Sequence, residues 1–115
     1  MMTASEQRLL AAVARDETPA VVLESGTTVD VGQWFQNGRV WIACFAGRVA
    51  VFADGKRPHS EEIPVAELAK SFYNFLTGEL ALAPAPLARV RRLQFAPLDA
   101  NKILEQINRK ETSHD

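Results

Sequence analysis

The apolar positions of the chain fall into seven short runs cut by glycine and proline, with one amphipathic stretch after the last of them. Short apolar runs bounded by turn residues are the signature of strands, and a closing stretch with a period of ~3.6 residues is that of a helix. At the N-terminus, Thr3 and Glu6 have the spacing of a capping box, in which hydroxyl and carboxylate each accept a backbone N–H of the other residue. Leu9, Leu10 and Val13 follow at helical spacing, so residues 4 to 15 are predicted as a short helix. Asp16-Glu17-Thr18-Pro19 ends it, because proline disfavours helix at the residue before it.

Residues 20 to 96 read as a β section. Ala20 to Leu23 is a short run stopped by Ser25-Gly26, and Thr28 to Val31 is β-branched. Gln33-Trp34-Phe35-Gln36 lies between Gly32 and Asn37-Gly38, a hairpin signal because both turn residues tolerate positive φ. In the run from Val40 to Phe45, Val40, Ile42 and Cys44 share one face and Trp41, Ala43 and Phe45 the other. Both faces are apolar, which predicts a central strand covered on both sides. Ala46-Gly47-Arg48 turns it into Val49 to Ala53, and Asp54-Gly55 ends that hairpin. Lys56 to Glu62, polar and holding Pro58, reads as an exposed loop; Pro64 then opens a helical turn over 65–69. Ser71 to Leu76 and Glu79 to Ala83 form a strand pair across Thr77-Gly78, and Pro84 and Pro86 stiffen the connector to the last strand, Val90 to Phe95. Its alternation sets Arg91, Leu93 and Phe95 on one face and Val90, Arg92 and Gln94 on the other. The closing helix is predicted over 99–109, with Asp99 as N-cap and Leu98 and Ile103 as a hydrophobic staple. Ala100, Ile103, Leu104 and Ile107 form a stripe that must bury against the open end of the sheet.

A chain of 115 residues, 47% apolar and 23% charged, is long enough for one domain with its own core, residues 1–115. Net charge is −1, from 13 basic and 14 acidic residues, whereas nucleic-acid-binding domains are usually clearly basic. The one cysteine, Cys44, leaves no internal disulfide to form, so nothing demands an oxidising compartment. The first residues lack the basic and apolar segments of a signal peptide, and no apolar run approaches the ~18 residues of a membrane span. These features predict a cytoplasmic protein.

Val40 to Phe45, the Gly47-Arg48 turn, Val49 to Phe52, Ile63-Pro64-Val65, the strand pair across Gly78, and Leu93-Gln94-Phe95 running into Asp99 to Ile107 carry a resemblance. Short antiparallel strands capped by one C-terminal amphipathic helix resemble the pleckstrin-homology-like barrel superfamily, in its small bacterial and GRAM-type members. The resemblance spans about residues 20 to 109. It implies a mainly β fold: a small antiparallel barrel of about seven strands, with a short N-terminal helix added and a C-terminal capping helix. It also implies a scaffold that binds peptides, proteins or lipids and does not catalyse. The loop joining the first two strands, where phosphoinositide-binding members carry basic residues, is here Glu24-Ser25-Gly26-Thr27-Thr28, without lysine or arginine. Phosphoinositide binding is therefore not expected.

The candidate chemistry narrows further. Cys44 sits mid-strand among apolar residues, the setting of a small buried side chain and not of a reactive thiolate. His59, Glu61 and Glu62 have no second histidine at ligand spacing, and adjacent glutamates on an extended chain point to opposite sides, so no metal site is expected. No phosphate loop, dinucleotide fingerprint, Cys-x-x-Cys pair or nucleophile elbow is present, and no cofactor is predicted. Trp34, Phe35, Tyr73 and Phe75 are the candidate partner-contact residues, and Arg89, Arg91 and Arg92 the candidate anion-binding cluster. The expected function is a non-catalytic interaction module that binds a protein or peptide partner. Self-association is one form of that contact, because a sheet apolar on both faces needs two covers. The alternatives are a ligand-binding or enzymatic β-barrel and, behind it, nucleic-acid or phosphate binding through the arginines.

Overall fold

The structure, a computed structural model, describes residues 2–26, 28–29, 39–54 and 58–112. It is mainly antiparallel β with a helix at each end. Helix α1 spans Ala4–Ala14 and opens on the capping box: Glu6 N–H donates to the Thr3 hydroxyl at 3.1 Å, and Thr3 N–H to the Glu6 carboxylate at 2.8 Å. It ends at Arg15, which takes a left-handed conformation with φ 47°. The first sheet contains β1 (Val21–Glu24), β3 (Val40–Cys44), β4 (Arg48–Asp54) and β5 (Pro58–Pro64), in spatial order β1-β3-β4-β5. The second contains β2 (Thr28–Val29), β6 (Phe72–Asn74), β7 (Glu79–Ala81) and β8 (Arg92–Gln94), in order β2-β8-β7-β6. Helix α2 spans Pro97–Thr112. Among the described residues no helix is long and apolar enough to cross a membrane.

Between β1 and β2 the chain passes from one sheet to the other at Ser25-Gly26. Ser25 N–H donates to the Val40 carbonyl in the first sheet, while the Ser25 hydroxyl and Gly26 N–H both donate to the Gln94 carbonyl in the second. At the opposite corner, the Glu61 carboxylate on β5 accepts the backbone N–H groups of Arg89 and Val90 at 2.7 and 3.1 Å. This is a side-chain bridge and not a strand ladder. Among the described residues the strands pair as two four-stranded sheets, and no ladder closes them into one barrel.

The β3 strand is central, as its two apolar faces require, and every residue in it is buried. Its inner face joins Val49, Val51 and Ile63 to Leu80 and Leu93 of the second sheet and to Ala100, Ile103 and Ile107 of α2. Its outer face, with Ala50 and Phe52 of β4, packs against Val13, Ala14, Leu9 and Leu10 of α1. The second cover of the first sheet is therefore α1, and the ground for expecting a second copy of the chain there falls away.

Ionic contacts at both of its ends hold α1 in place. Glu6, only 3% exposed, accepts hydrogen bonds from the Trp41 indole N–H at 2.9 Å and from the Arg39 guanidinium at 2.6 Å. Burial pushes its carboxyl pKa up. The hydrogen bonds from Thr3 N–H, Trp41 and Arg39 and the Arg39 charge outweigh that and leave it below the ordinary value. At the other end of α1, Arg48 donates to the Val13 carbonyl at 2.6 Å, satisfying a free helix-end acceptor. It also pairs with Glu17 and lies 3.2 Å from Glu62. Arg15 grips Glu62 through two bonds of 2.7 and 2.9 Å, which hold the Glu62 carboxyl below its usual range against the opposing effect of burial.

Several boundaries differ from those expected. The segment 56–62, expected as a loop, belongs from Pro58 to an edge strand, β5. Its prolines pair with the two ends of β4, at Asp54 and Arg48, and an edge strand tolerates a residue without N–H. The helical turn after it is a 3-10 turn, Val65–Leu68, with Pro64 extended before it. Strand β6 stops at Asn74, because Phe75 to Gly78 form the turn; Gly78 has φ 75°, and a Cβ there would lie 3.1 Å from Gln94 Oε1. Before β8 the expected alternation fails: Val90 is buried and Arg91 exposed, because the regular strand begins only at Arg92. Helix α2 starts two residues earlier than expected and runs beyond 109. Pro97 takes the first helical position, Asp99 lies within the first turn, and Leu98 is exposed, so the staple with Ile103 does not form. Asn37-Gly38, Gly32, Trp34 and Phe35 lie outside the described residues.

Candidate functional site: the outer face of the second sheet

The two sheets differ in how they are covered. The two central strands of the first, β3 and β4, are buried on both faces. The second turns Tyr73, Leu80 and Leu93 inward, and its other face has no covering helix or strand among the described residues. Register places Phe72, Ala81 and Arg92 side by side in one row of that face, and Asn74, Glu79 and Gln94 in the next. In the first row a small residue stands between two tall ones. Strand spacing of about 4.8 Å separates the flanking strands by roughly 10 Å. The result is an open groove of roughly 450 Å³ along β7, with Phe72 and Arg92 on its sides, Ala81 on its floor, Glu79 toward one end and Pro84 and Arg91 toward the other.

The structure divides the candidate residues. Arg91 and Arg92 both line the groove, because Val90 turns into the core and leaves the next two side chains outside. Among the described residues no carboxylate lies within 4.0 Å of either guanidinium, whereas Arg15, Arg39 and Arg48 are each engaged by one. Arg89 is not among the groove residues; its backbone N–H serves the Glu61 bridge. Tyr73 is half-buried and its hydroxyl donates to the Phe95 carbonyl at 2.7 Å, which makes it an anchor of β6 against β8. Phe75 leaves the strand for the turn, 72% exposed, with its ring edge-on to Tyr73 at 4.9 Å between centroids. Leu76 beside it is 97% exposed. Phe72, 56% exposed, joins the groove; its signal was present in the sequence as the alternation of 72 and 74 against 73.

His59 Nε2 lies 3.5 Å from Glu61, whose carboxylate is engaged by backbone, while Glu62 turns the opposite way to Arg15. Among the described residues no three His, Cys, Asp or Glu side chains converge on a possible metal position. Cys44 is fully buried, and desolvation pushes its thiol up to about 12. Its thiol is therefore expected to stay unlabelled by iodoacetamide at pH 8 on the folded protein and to react on unfolding in guanidinium; labelling at equal rates in both states contradicts that placement.

Comparison of the chain with protein-family models, with curated proteins and with solved structures finds no match.

Proposed function

We propose that the protein is a non-catalytic binding module of the pleckstrin-homology-like kind, which takes a protein or peptide partner on the outer face of its second sheet. The strand order supports this reading. Successive strands β1 and β2 enter different antiparallel sheets, β3-β4-β5 and β6-β7-β8 each run as a meander, and the C-terminal helix packs into the core, an order like the one the resemblance implies. The observation that carries the contact surface is the row Phe72–Ala81–Arg92, a cleft with an aromatic side and a cationic side and no covering element among the described residues. Its chemistry favours binding over reaction: the groove presents two guanidinium groups, an amide and a single carboxylate, with no thiol or imidazole among its described residues. One thiol and no internal disulfide fit a cytoplasmic setting.

Selection of a random-peptide display library on the full chain, followed by amide chemical-shift mapping of the enriched peptides, tests the proposal. Shifts concentrated on residues 72–81 and 91–94 are expected. No enrichment, or shifts centred on α1 and the first sheet, would overturn it.

A further inference from the structure

We infer that the groove along β7 takes an extended acidic peptide segment, with a carboxylate side chain held by Arg91 and Arg92 and an apolar side chain against Phe72. The inference rests on the binding-module reading and adds the chemistry and conformation of the occupant.

Width sets the conformation. The side chains of Phe72 and Arg92 rise from strands roughly 10 Å apart with Ala81 between them. A helix, about 10–12 Å across with its side chains, does not enter such a slot, while a single extended chain does. An extended chain also presents alternate side chains to one surface, and groups two residues apart are spaced about 7 Å. That is close to the step from the Arg92 row to the Glu79 row along β7.

Charge sets the composition. The chain has 13 basic and 14 acidic residues, and the structure uses carboxylates to engage Arg15, Arg39 and Arg48. Arg91 and Arg92 lie together at one end of an open groove, and no described carboxylate lies within 4.0 Å of either. Guanidinium groups bind carboxylates through paired N–H donors, and such charge-assisted bonds are stronger than neutral ones. Glu79 lies toward the other end of the groove and disfavours a continuous polyanion along its whole length. A phosphodiester backbone, charged at every step, therefore fits less well than a peptide with one acidic cluster followed by an apolar residue. A bilayer surface does not reach a floor set between Phe72 and Arg92.

The test uses the full chain and a fluorescein-labelled eight-residue peptide of four glutamates followed by four valines, read by fluorescence anisotropy. Its lysine–valine counterpart, an eight-residue oligothymidylate and vesicles containing phosphatidylserine are run beside it. The acidic peptide is expected to bind in preference to the other three and to weaken with salt. R91A and R92A should each weaken it about tenfold, the loss of one charge-assisted contact. A81L, which fills the floor, should weaken it as much without changing any charge. Unchanged melting curves for these surface variants show that the loss is at the groove. Equal binding of the acidic and basic peptides, tighter binding of the oligonucleotide or the vesicles, or indifference to R92A and A81L overturns the inference. If display selection still enriches neutral or basic peptides that map to β6–β8, the binding-module reading stands and only the occupant's chemistry fails.

Discussion

Replacing Ile103 with alanine is expected to lower stability by about 2–5 kcal/mol, the range for truncating a fully buried isoleucine and leaving a cavity. Ile103 has no exposed surface and meets the inner faces of both sheets, so its removal leaves a gap where three layers converge. For a domain of this size the loss corresponds to a fall in Tm on the order of 10 °C or more. Leu104, half-buried at the margin of the same core, should cost clearly less. Urea or thermal unfolding of the two variants checks the order. Equal and small losses would show that α2 is not seated in the core.

The second large effect is expected at Glu6. Glu6→Ala removes the reciprocal cap of α1, worth about 1 kcal/mol, and leaves the Trp41 N–H and the inward side of Arg39 without their acceptor, at about 1–3 kcal/mol more. The sum is about 2–4 kcal/mol. Glu6→Gln keeps an acceptor and loses the charge, so it separates the two contributions. The pH dependence has a definite sign. The folded carboxyl titrates below its ordinary value, so the stabilisation it gives is complete above the unfolded carboxylate pKa of about 4.3 and is lost as pH falls through the lower folded value. Wild type should therefore lose stability more steeply than Glu6→Gln on acidification from pH 5. Parallel urea midpoints for the two proteins between pH 5 and pH 3 would refute a charged Glu6 as the tie between α1 and the sheet.

The parts of the fold legible in the sequence were those fixed by local patterns. The capping box at Thr3 and Glu6, the two apolar faces of 40–45 and the stripe through Ile103 and Ile107 each stand within a single element. The misreadings fall where a long-range partner decides. Pro58 to Glu62 looked like a loop because an edge strand needs few apolar residues, and only β4 beside it makes it a strand. Leu9, Leu10 and Val13 were read as a helical stripe, yet nothing local says that they cover Trp41 and Phe52 some thirty to forty residues later. Glu6 has one reading as a cap and a second as a buried ion-pair partner, and the same spacing serves both. The groove was half legible. Arg91 and Arg92 stood out as charge, but the alternation assigned them to opposite faces, and Ala81 between Phe72 and Arg92 is a fact of register that no single strand contains.

The unequal covering of the two sheets sets where the molecule can open. Amides of β3 and β4 lie between two hydrophobic layers and are paired on both sides, so they have no local route to solvent and exchange only when the whole domain unfolds. Among the described residues, strand β6 is three residues long, paired on one side only, and ends in a turn carrying exposed Phe75. Its amides can open without disturbing the first sheet. The rigid half of the protein therefore acts as a mount, and the groove lies on the half whose edge strand opens more readily.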